Sequence, residues 1–159
     1  MEKSGLSILL FSGDYDKCLA AMILANGARE LDMEADVFCA FWGLLLLRDP
    51  EKLKVDDKDF YEKMFSVATP SGAEQLPLSK MNMAGMGKQM LLNMMDGKEA
   101  PRLGDFLQGA FHKGVRFHAC ELSMKIMGFA AEELLPDVQI NTVYDYLQQA
   151  KKAEIQLFI

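Results

Sequence analysis

The chain has 159 residues, of which half are apolar and a quarter are charged, and its net charge is −6. This length and composition are typical of one soluble globular domain, which buries roughly two-thirds of its unfolded surface without disulfide bonds. Because the negative charge repels phosphate and no Lys/Arg cluster offsets it, nucleic acid is excluded as a partner. We therefore expect a single domain over residues 1–159.

The apolar runs are too short for a signal peptide or a membrane-spanning helix. Residues 8–11 form a brief apolar run that is soon followed by Asp14 and Asp16. The longest apolar run, residues 37–47, is far below the ~20 residues that cross a bilayer. We therefore expect a soluble cytoplasmic protein with no membrane partner.

The first third of the chain predicts a strand, a helix and a second strand. The run GLSILLFS, which starts at Gly5, is typical of a buried strand in a parallel sheet. Leu19, Met22 and Ile23 then recur at helical spacing. EADVFCAF, which starts at Glu34, is rich in Val and Phe and predicts the second strand.

Residues 43–113 predict a long helical insertion after the second strand. The connection WGLLLLRDPEK that enters this insertion is unusually apolar. A helix capped near Asp57 ends before Pro70, and a later amphipathic helix ends at Gly114.

Between these two helices, methionines recur on one face of a third predicted helix. This methionine stripe consists of Met83, Met86, Met90 and Met94. Thioether sulfurs are ligands for Cu(I), but no His or Cys joins them locally. Methionine is also a pliable apolar residue that packs in cores and at adaptable interfaces. We favour a contact between subunits, because large residues such as Leu91 lie beside the stripe.

The last third of the chain predicts three more strands and two helices. VRFHA predicts the third strand, and a helix begins at Cys120 and runs through Met127. PDVQIN and EIQLFI predict two further strands on either side of the helix TVYDYLQQAKKA. Strands that alternate with helices form right-handed crossovers and a parallel sheet covered on both faces. The predicted fold is a three-layer α/β/α domain of about five strands.

The segment GMGK, residues 85–88, invites a nucleotide-binding interpretation that its flanks contradict. A phosphate loop needs a glycine five residues before the final Gly-Lys pair and Ser or Thr after the lysine. Asn82 and Gln89 occupy those positions, and Met90 replaces the third glycine of the dinucleotide fingerprint. We expect no cofactor.

The three cysteines, Cys18, Cys39 and Cys120, form neither a CxxC pair nor the Cys/His spacing of a zinc site. We therefore expect no metal, and free thiols rather than disulfides. Cys18 and Cys39 lie within apolar runs, where buried packing is the simplest role for a cysteine.

Cys120 lies where a predicted strand ends and a helix begins, at the edge where parallel sheets bind ligands. Free amide groups and the positive end of the helix dipole favour a thiolate at such a junction. His118 precedes Cys120 by two residues, and strand alternation places both side chains on the same side. His118 is therefore a candidate partner of the thiol. The alternative is that Cys120 only fills the core.

The carboxyl ends of the first three strands are expected to line a pocket around Cys120. The candidate pocket residues are Ser12, Gly13 and Asp14 after the first strand, Phe41, Trp42 and Gly43 after the second, and His118 and Ala119 at the end of the third. Trp42, the single tryptophan, suits a pocket wall and equally a core or interface anchor.

Several segments resemble the DsrE/DsrF-like family of small sulfur-transfer proteins. HACELSMKIMG resembles the family segment ACxMSMDxMG, and AFWGLLLLR resembles the signature TFWGL. LFSGDYDKCLAAMILANGA is similar to the family's first strand and helix, LSKMNMAGMGKQM to its Met/Gly-rich segment, and AKKAEIQLFI to its closing strand. The resemblance covers nearly the whole chain and points to the subgroup labelled DsrE-family or peroxiredoxin-family protein.

The resemblance implies a flavodoxin-like subunit that forms homo-oligomers, trimers or larger, and exchanges sulfane sulfur with small sulfur-carrier or rhodanese-type proteins. The family's sulfur-carrying cysteine corresponds to Cys120, so the expected function is that of a sulfur carrier or sulfurtransferase with a persulfide on Cys120. The alternative is a non-catalytic binding or scaffold subunit of a sulfur-relay complex. The chain departs from the family pattern at Leu122 and Lys125, which replace a Met and an Asp.

Overall fold

The computed structural model describes residues 5–159, and residues 1–4 of the predicted domain lie outside the described residues. Five parallel strands form one sheet in the order β4-β3-β2-β1-β5. The strands are Gly5–Leu10 (β1), Glu34–Cys39 (β2), Arg116–Cys120 (β3), Gln139–Asn141 (β4) and Ile155–Phe158 (β5). The α-helices are Tyr15–Glu30 (α1), Phe60–Ala68 (α2), Met86–Gly97 (α3), Leu103–His112 (α4), Glu121–Met127 (α5) and Val143–Ala150 (α6). The helices cover both faces, which confirms the predicted three-layer α/β/α fold and the helical insertion after the second strand.

Consecutive strands lie next to each other over most of the sheet. Strands β1 to β4 step across the sheet in one direction, and β5 returns to pair with the free side of β1. Right-handed crossovers in opposite directions place their helices on opposite faces of the sheet. The register aligns Leu10 with Cys39 and Cys39 with Ala119, so the carboxyl ends of β1, β2 and β3 lie side by side.

The main core lies on one face of the sheet. Alternate residues of β1, β2 and β3 point into this core. These core residues are Leu6, Ile8, Leu10, Ala35, Val37, Cys39, Phe117 and Ala119. Helix α4 covers this face through Phe111, whose ring centroid lies 4.4 Å from that of Phe117. The opposite face carries Phe38 and His118, and Phe38 stacks on Tyr146 of α6 at 4.6 Å. Cys120 therefore projects on the α6 side rather than into the main core.

Helix α1 buries only part of the predicted face, on which Leu19 packs partly buried against the core. Met22 is buried as expected, but Ile23 is 49% exposed, and the buried positions around Met22 are Cys18, Ala21, Ala25 and Asn26. Asn26 is tolerated inside because its Nδ2 donates to the carbonyls of Met22 and Phe106 at 2.8 and 3.0 Å. The small side chains let α4 approach closely, and this tertiary packing overrides the apolar spacing.

The insertion also departs locally from the predicted elements. Asp59, rather than Asp57, caps α2 and forms a capping box with Glu62. The apolar connection after β2 is a 3-10 helix, Phe41–Leu47, whose four leucines are buried. Its unusual hydropathy is therefore explained by burial between β2, β3 and α5.

Candidate functional site

Cys120 is the last residue of β3 and the N-cap of α5, so the strand-to-helix junction lies where the sequence predicted it. The backbone of Cys120 is extended, with φ −68° and ψ 115°, and its neighbour across the sheet is Asn141 of β4. The residue retains 4% of its surface. Cys120 is therefore nearly enclosed in the isolated subunit.

The two charged residues that follow Cys120 in the sequence, Glu121 and Lys125, form an ion pair with each other. Lys125 lies 3.4 Å from Glu121 one helical turn away, and both side chains are exposed. Leu122 is 59% exposed as well. The two departures from the family pattern therefore lie on the outer surface of α5.

The other two cysteines are completely enclosed. Cys18 and Cys39 are both 0% exposed, and all three cysteines are free, as predicted. Burial, with the carboxylates of Asp14 and Asp16, raises the pKa of Cys18 to about 12. Burial raises the pKa of Cys39 well above its ordinary value, with a smaller contribution from Cys18. Burial therefore disfavours a thiolate on either sulfur, which makes a carrier role for them unfavourable.

His118 makes its hydrogen bond to a residue that the sequence analysis did not single out. Its Nε2 lies 2.8 Å from Oδ1 of Asp36 on β2, and the imidazole is 2% exposed. Asp36 is held on its other side by Arg116, whose Nε and Nη2 each donate to it at 2.7 Å. Arg116 also donates to Glu34 at 2.9 Å. A buried imidazole is thus coupled to a fixed carboxylate.

Asp36 remains ionised in this network over most of the pH range. Burial alone would raise its pKa, but the hydrogen bonds from Arg116 and His118 outweigh burial and lower the pKa to about 2. The same contacts raise the pKa of Arg116 further, chiefly through its hydrogen bonds to Asp36. The signal in the sequence that could have identified Asp36 is a charged residue at an alternating position inside an otherwise apolar strand.

The structure distributes the predicted pocket residues over separate places. Ser12, Gly13, Asp14 and Trp42 line one cavity of about 470 Å³, together with Phe11, Lys17, Leu45, Ala68, Thr69, Pro70 and Pro77. Phe41 and Trp42 line a neighbouring cavity of about 380 Å³ with Asp59, Tyr61, Glu62, Phe65, Ile126 and Met127. His118 lines a third cleft among the amino-terminal ends of the strands, with Asp36 and Arg116. Gly43 and Ala119 are buried and line none of these three cavities.

Trp42 separates the first two cavities. Its indole is 43% exposed and stacks on Phe65 of α2, with ring centroids 5.7 Å apart. Phe65 in turn lies 6.3 Å from Phe129, which follows α5. Trp42 is therefore both a cavity wall and the anchor that joins the insertion to the strand ends.

Two glycines allow the backbone turns of β1 and β2 to approach each other. A Cβ atom on Gly13 would lie 2.6 Å from the carbonyl oxygen of Trp42, and one on Gly43 would lie 2.0 Å from that of Leu10. The amide of Gly43 donates to the carbonyl of Phe11 at 3.0 Å. These positions need glycine for space rather than for unusual backbone angles.

Partly exposed aromatic rings form a rim beyond the carboxyl ends of the central strands. Phe11 lies 5.7 Å from Phe41 and 6.1 Å from Phe158 between ring centroids. Phe158 is 72% exposed, and Phe11 and Phe41 are each more than a third exposed. We call these three residues the aromatic rim.

Within residues 5–159, no three or more His, Cys, Asp or Glu side chains are grouped to hold a metal ion. In the same part of the chain, no helix combines the length and apolar character needed to span a membrane.

The fold and the site define a class of parallel α/β domain that carries a cysteine at the carboxyl end of an interior strand. The chain belongs to the DsrE/DsrF/DrsH-like family, whose sequence model matches residues 2–158. This match confirms the family resemblance that the segments around Cys120 and Trp42 carry.

Two related proteins cover almost the whole chain. The uncharacterized protein YrkE of Bacillus subtilis strain 168 is 43% identical over 153 residues, covering 96% of this chain and 95% of that protein. The sulfur carrier protein DsrE2 of Allochromatium vinosum is 24% identical over 159 residues, covering 100% of both. The crystal structure of the ychN protein from E. coli has a TM-score of 0.58 at 12% identity, covering 98% of this chain and 99% of that one, and shows the shared fold.

Proposed function

We propose that this protein is a cytoplasmic sulfur carrier or sulfurtransferase that holds sulfane sulfur as a persulfide on Cys120. The observation that carries the proposal is the position of Cys120 at the strand-to-helix junction, in a family that includes a protein named as a sulfur carrier. Cys18 and Cys39 are fully buried with raised pKa values, so Cys120 is the thiol best suited to exchange. Three free cysteines support a reducing compartment.

The proposed reaction is two successive thiol exchanges. The Cys120 thiolate attacks the outer sulfur of a donor persulfide, the donor S–S bond breaks, and the donor leaves as a thiolate. An acceptor thiolate then attacks the outer sulfur on Cys120, which regenerates the Cys120 thiolate. The sulfane sulfur is passed on without net oxidation or reduction. Amide groups in the first turn of α5 lack helical partners and stabilise negative charge at that end.

The proposed partners are further copies of this chain and a small sulfur-carrier or rhodanese-type protein. The methionine stripe supports self-association, because Met86, Met90 and Met94 of α3 are each more than half exposed. Met83 is also more than half exposed, but it lies in the turn before α3 rather than on the predicted helix. The aromatic rim supports docking of an exchange partner, because exposed Phe side chains are typical interface anchors.

One observation favours the alternative function of a non-catalytic scaffold subunit. Cys120 retains only 4% of its surface, so a donor must reach the sulfur through a local shift of the surrounding side chains. In a scaffold subunit the thiol would be packing, and the exposed methionine stripe and aromatic rim would carry the function.

Mass spectrometry of the intact protein tests the proposal. The wild-type protein, incubated with a polysulfide donor and separated from it, is expected to gain the mass of one sulfur atom. Cys120→Ser is expected to fold and assemble but to gain none, because the exchange removes the nucleophile with little change in volume. A sulfur gain in the serine variant would show that Cys120 is not the carrier. A wild-type protein that gains no sulfur and resists alkylation at Cys120 would favour the scaffold.

A further inference from the structure

We infer that Asp36 and His118 form a dyad in which His118 accepts the proton of the Cys120 thiol and Asp36 positions the imidazole. The inference rests on the proposed function, since it assigns the proton acceptor for the thiol that carries sulfur. Four observations lead to it: an unpaired ring nitrogen, a fixed carboxylate, a shared face of β3, and the absence of competing charges between the two residues.

The imidazole of His118 has one committed nitrogen and one free nitrogen. Nε2 is bonded to Asp36, whereas Nδ1 is buried and has no hydrogen-bond partner among the residues that the structure describes. A buried polar atom without a partner is costly, and such atoms are retained where chemistry uses them. With the residue only 2% exposed, bulk water is a poor partner for Nδ1.

The carboxylate determines which nitrogen carries the proton. Asp36 is ionised at neutral pH and is an acceptor only, so the proton between it and His118 lies on Nε2. Neutral imidazole carries one N–H, so Nδ1 presents a lone pair. Arg116 fixes Asp36 through two hydrogen bonds of 2.7 Å, which holds the ring orientation. The arrangement is that of a base oriented by a carboxylate.

Strand geometry brings the free nitrogen and the thiol to one face. His118 and Cys120 are two residues apart on β3, so their Cα atoms are separated by about 6.6 Å and their side chains project on the same side. The register neighbours of His118 are Phe38 and Gln139, and neither is ionisable. Arg116, the neighbour of His118 on its other side, is bonded to carboxylates, which leaves the Cys120 thiol as the proton donor of β3 on this face.

The titratable groups around the dyad come from β2, α5 and α6, and the residue of α6 that packs on this face is Tyr146, which stacks on Phe38. Asp36 and Glu34 of β2 are both bonded to Arg116, and Lys152 after α6 lines the cleft at the amino-terminal end of the sheet. At the other end, Glu121 and Lys125 pair with each other on the exposed surface of α5. No charged residue in the described part of the chain is hydrogen-bonded to Nδ1 of His118.

The chemical step conserves protons and electrons. Nδ1 of His118 is not bonded to the Cys120 sulfur, so the proton passes between them through one water molecule, and the resulting imidazolium is stabilised by Asp36. The thiolate then attacks the donor's outer sulfur, the donor S–S bond breaks, and the imidazolium returns its proton to the departing thiolate. His118 ends neutral, ready for the transfer to the acceptor.

The pH profile of Cys120 alkylation by iodoacetamide tests the dyad. The rate is measured between pH 6 and pH 9.5 in wild type, His118→Gln and Asp36→Asn. Loss of the proton acceptor is expected to lower the rate at pH 7 about tenfold or more, while the rates converge at pH 9.5, where the base is no longer needed. Because each variant is compared with itself at high pH, altered packing alone does not reproduce this pattern.

Glu34→Gln is the matched control, because Glu34 contacts Arg116 but not His118. It is expected to keep the wild-type profile. Profiles of His118→Gln and Asp36→Asn that run parallel to wild type would overturn the dyad. Sulfur gain by the wild-type protein is measured in a separate experiment. If no sulfur is gained, the proposed function is wrong, but the alkylation profile still shows whether His118 and Asp36 assist deprotonation of Cys120. If His118→Gln does not fold, the alkylation profile of Asp36→Asn, which preserves the side-chain shape, tests the dyad by itself.

Discussion

The ammonium of Lys58 lies 2.7 Å from the carboxylate of Glu133, and both side chains are almost completely buried. Glu133 also accepts hydrogen bonds from the backbone amides of Ala130 and Lys54. This ion pair joins the insertion to the segment that follows α5. It therefore helps to hold the helix that begins at Cys120 against the rest of the domain.

Removal of one partner of this pair is expected to destabilise the protein strongly. Lys58→Met leaves the Glu133 carboxylate buried without its cation, and the expected loss is about 3 kcal/mol or more of unfolding free energy. Urea denaturation measures it. Lys52→Met is the control, because Lys52 pairs with Asp49 at the surface and should cost less than about 1 kcal/mol. Equal effects of the two variants would contradict the structural role of the buried pair.

Acidification should lower the free energy of unfolding, because it protonates Asp36. Its pKa falls from 3.8 to about 2 in the folded protein, so its contribution to stability is complete above pH 3.8 and is lost as the pH falls towards 2. The expected size is on the order of 2 kcal/mol. Denaturation curves at several pH values check this. Asp36→Asn should flatten the profile between pH 4 and 2, whereas Asp96→Asn should change it far less, because solvent screens the exposed pair of Asp96 with Arg102.

The three cysteines should differ in reactivity. Because Cys18 and Cys39 are fully buried and burial raises the pKa of each, neither should be alkylated in the native protein at pH 7 to 8. Peptide mapping after iodoacetamide treatment is expected to find the label on Cys120, and on all three residues after denaturation. Rapid native labelling of Cys18 would show that its packing is looser than the structure indicates.

Charge in the methionine stripe should reduce self-association. Met90 is 57% exposed at the middle of the stripe, so Met90→Lys places an ammonium in the proposed subunit contact without disturbing the core. Sedimentation velocity is expected to show a smaller particle for this variant than for wild type. Ile23→Lys provides the control, because Ile23 is comparably exposed on α1. A wild-type protein that sediments as a monomer at micromolar concentration would contradict the contact.

A methyl group at Gly13 should destabilise the turn after β1. Its Cβ would lie 2.6 Å from the carbonyl oxygen of Trp42, so the backbone must shift, at a cost of about 1–3 kcal/mol. Gly27→Ala, in α1 with no atom within 4 Å of the added carbon, should instead be neutral or stabilising by up to about 1 kcal/mol. Thermal unfolding distinguishes the two, and equal melting temperatures would show that the turn adapts without strain.

Much of the fold was predictable because its signals are local. Apolar runs marked the five strands, and the junction at Cys120 followed from VRFHA changing to a helical pattern. The cap of α2 was misplaced by two residues, since Asp57 and Asp59 are equally good caps and only the contact with Glu62 decides between them. The sequence predicted that Ile23 of α1 is buried, but it is exposed, because α4 packs against the alanine-rich side of α1.

The sequence by itself determined the α/β/α layers, the helical insertion and the place of Cys120, because hydrophobic periodicity and turn residues act over a few positions. Only the tertiary structure decided what His118, two residues before that cysteine, contacts. Asp36 and His118 are 82 residues apart in the chain, and the parallel register of β2 and β3 brings them to 2.8 Å. No local pattern encodes such a register, because it arises when several strands and helices bury their apolar faces together.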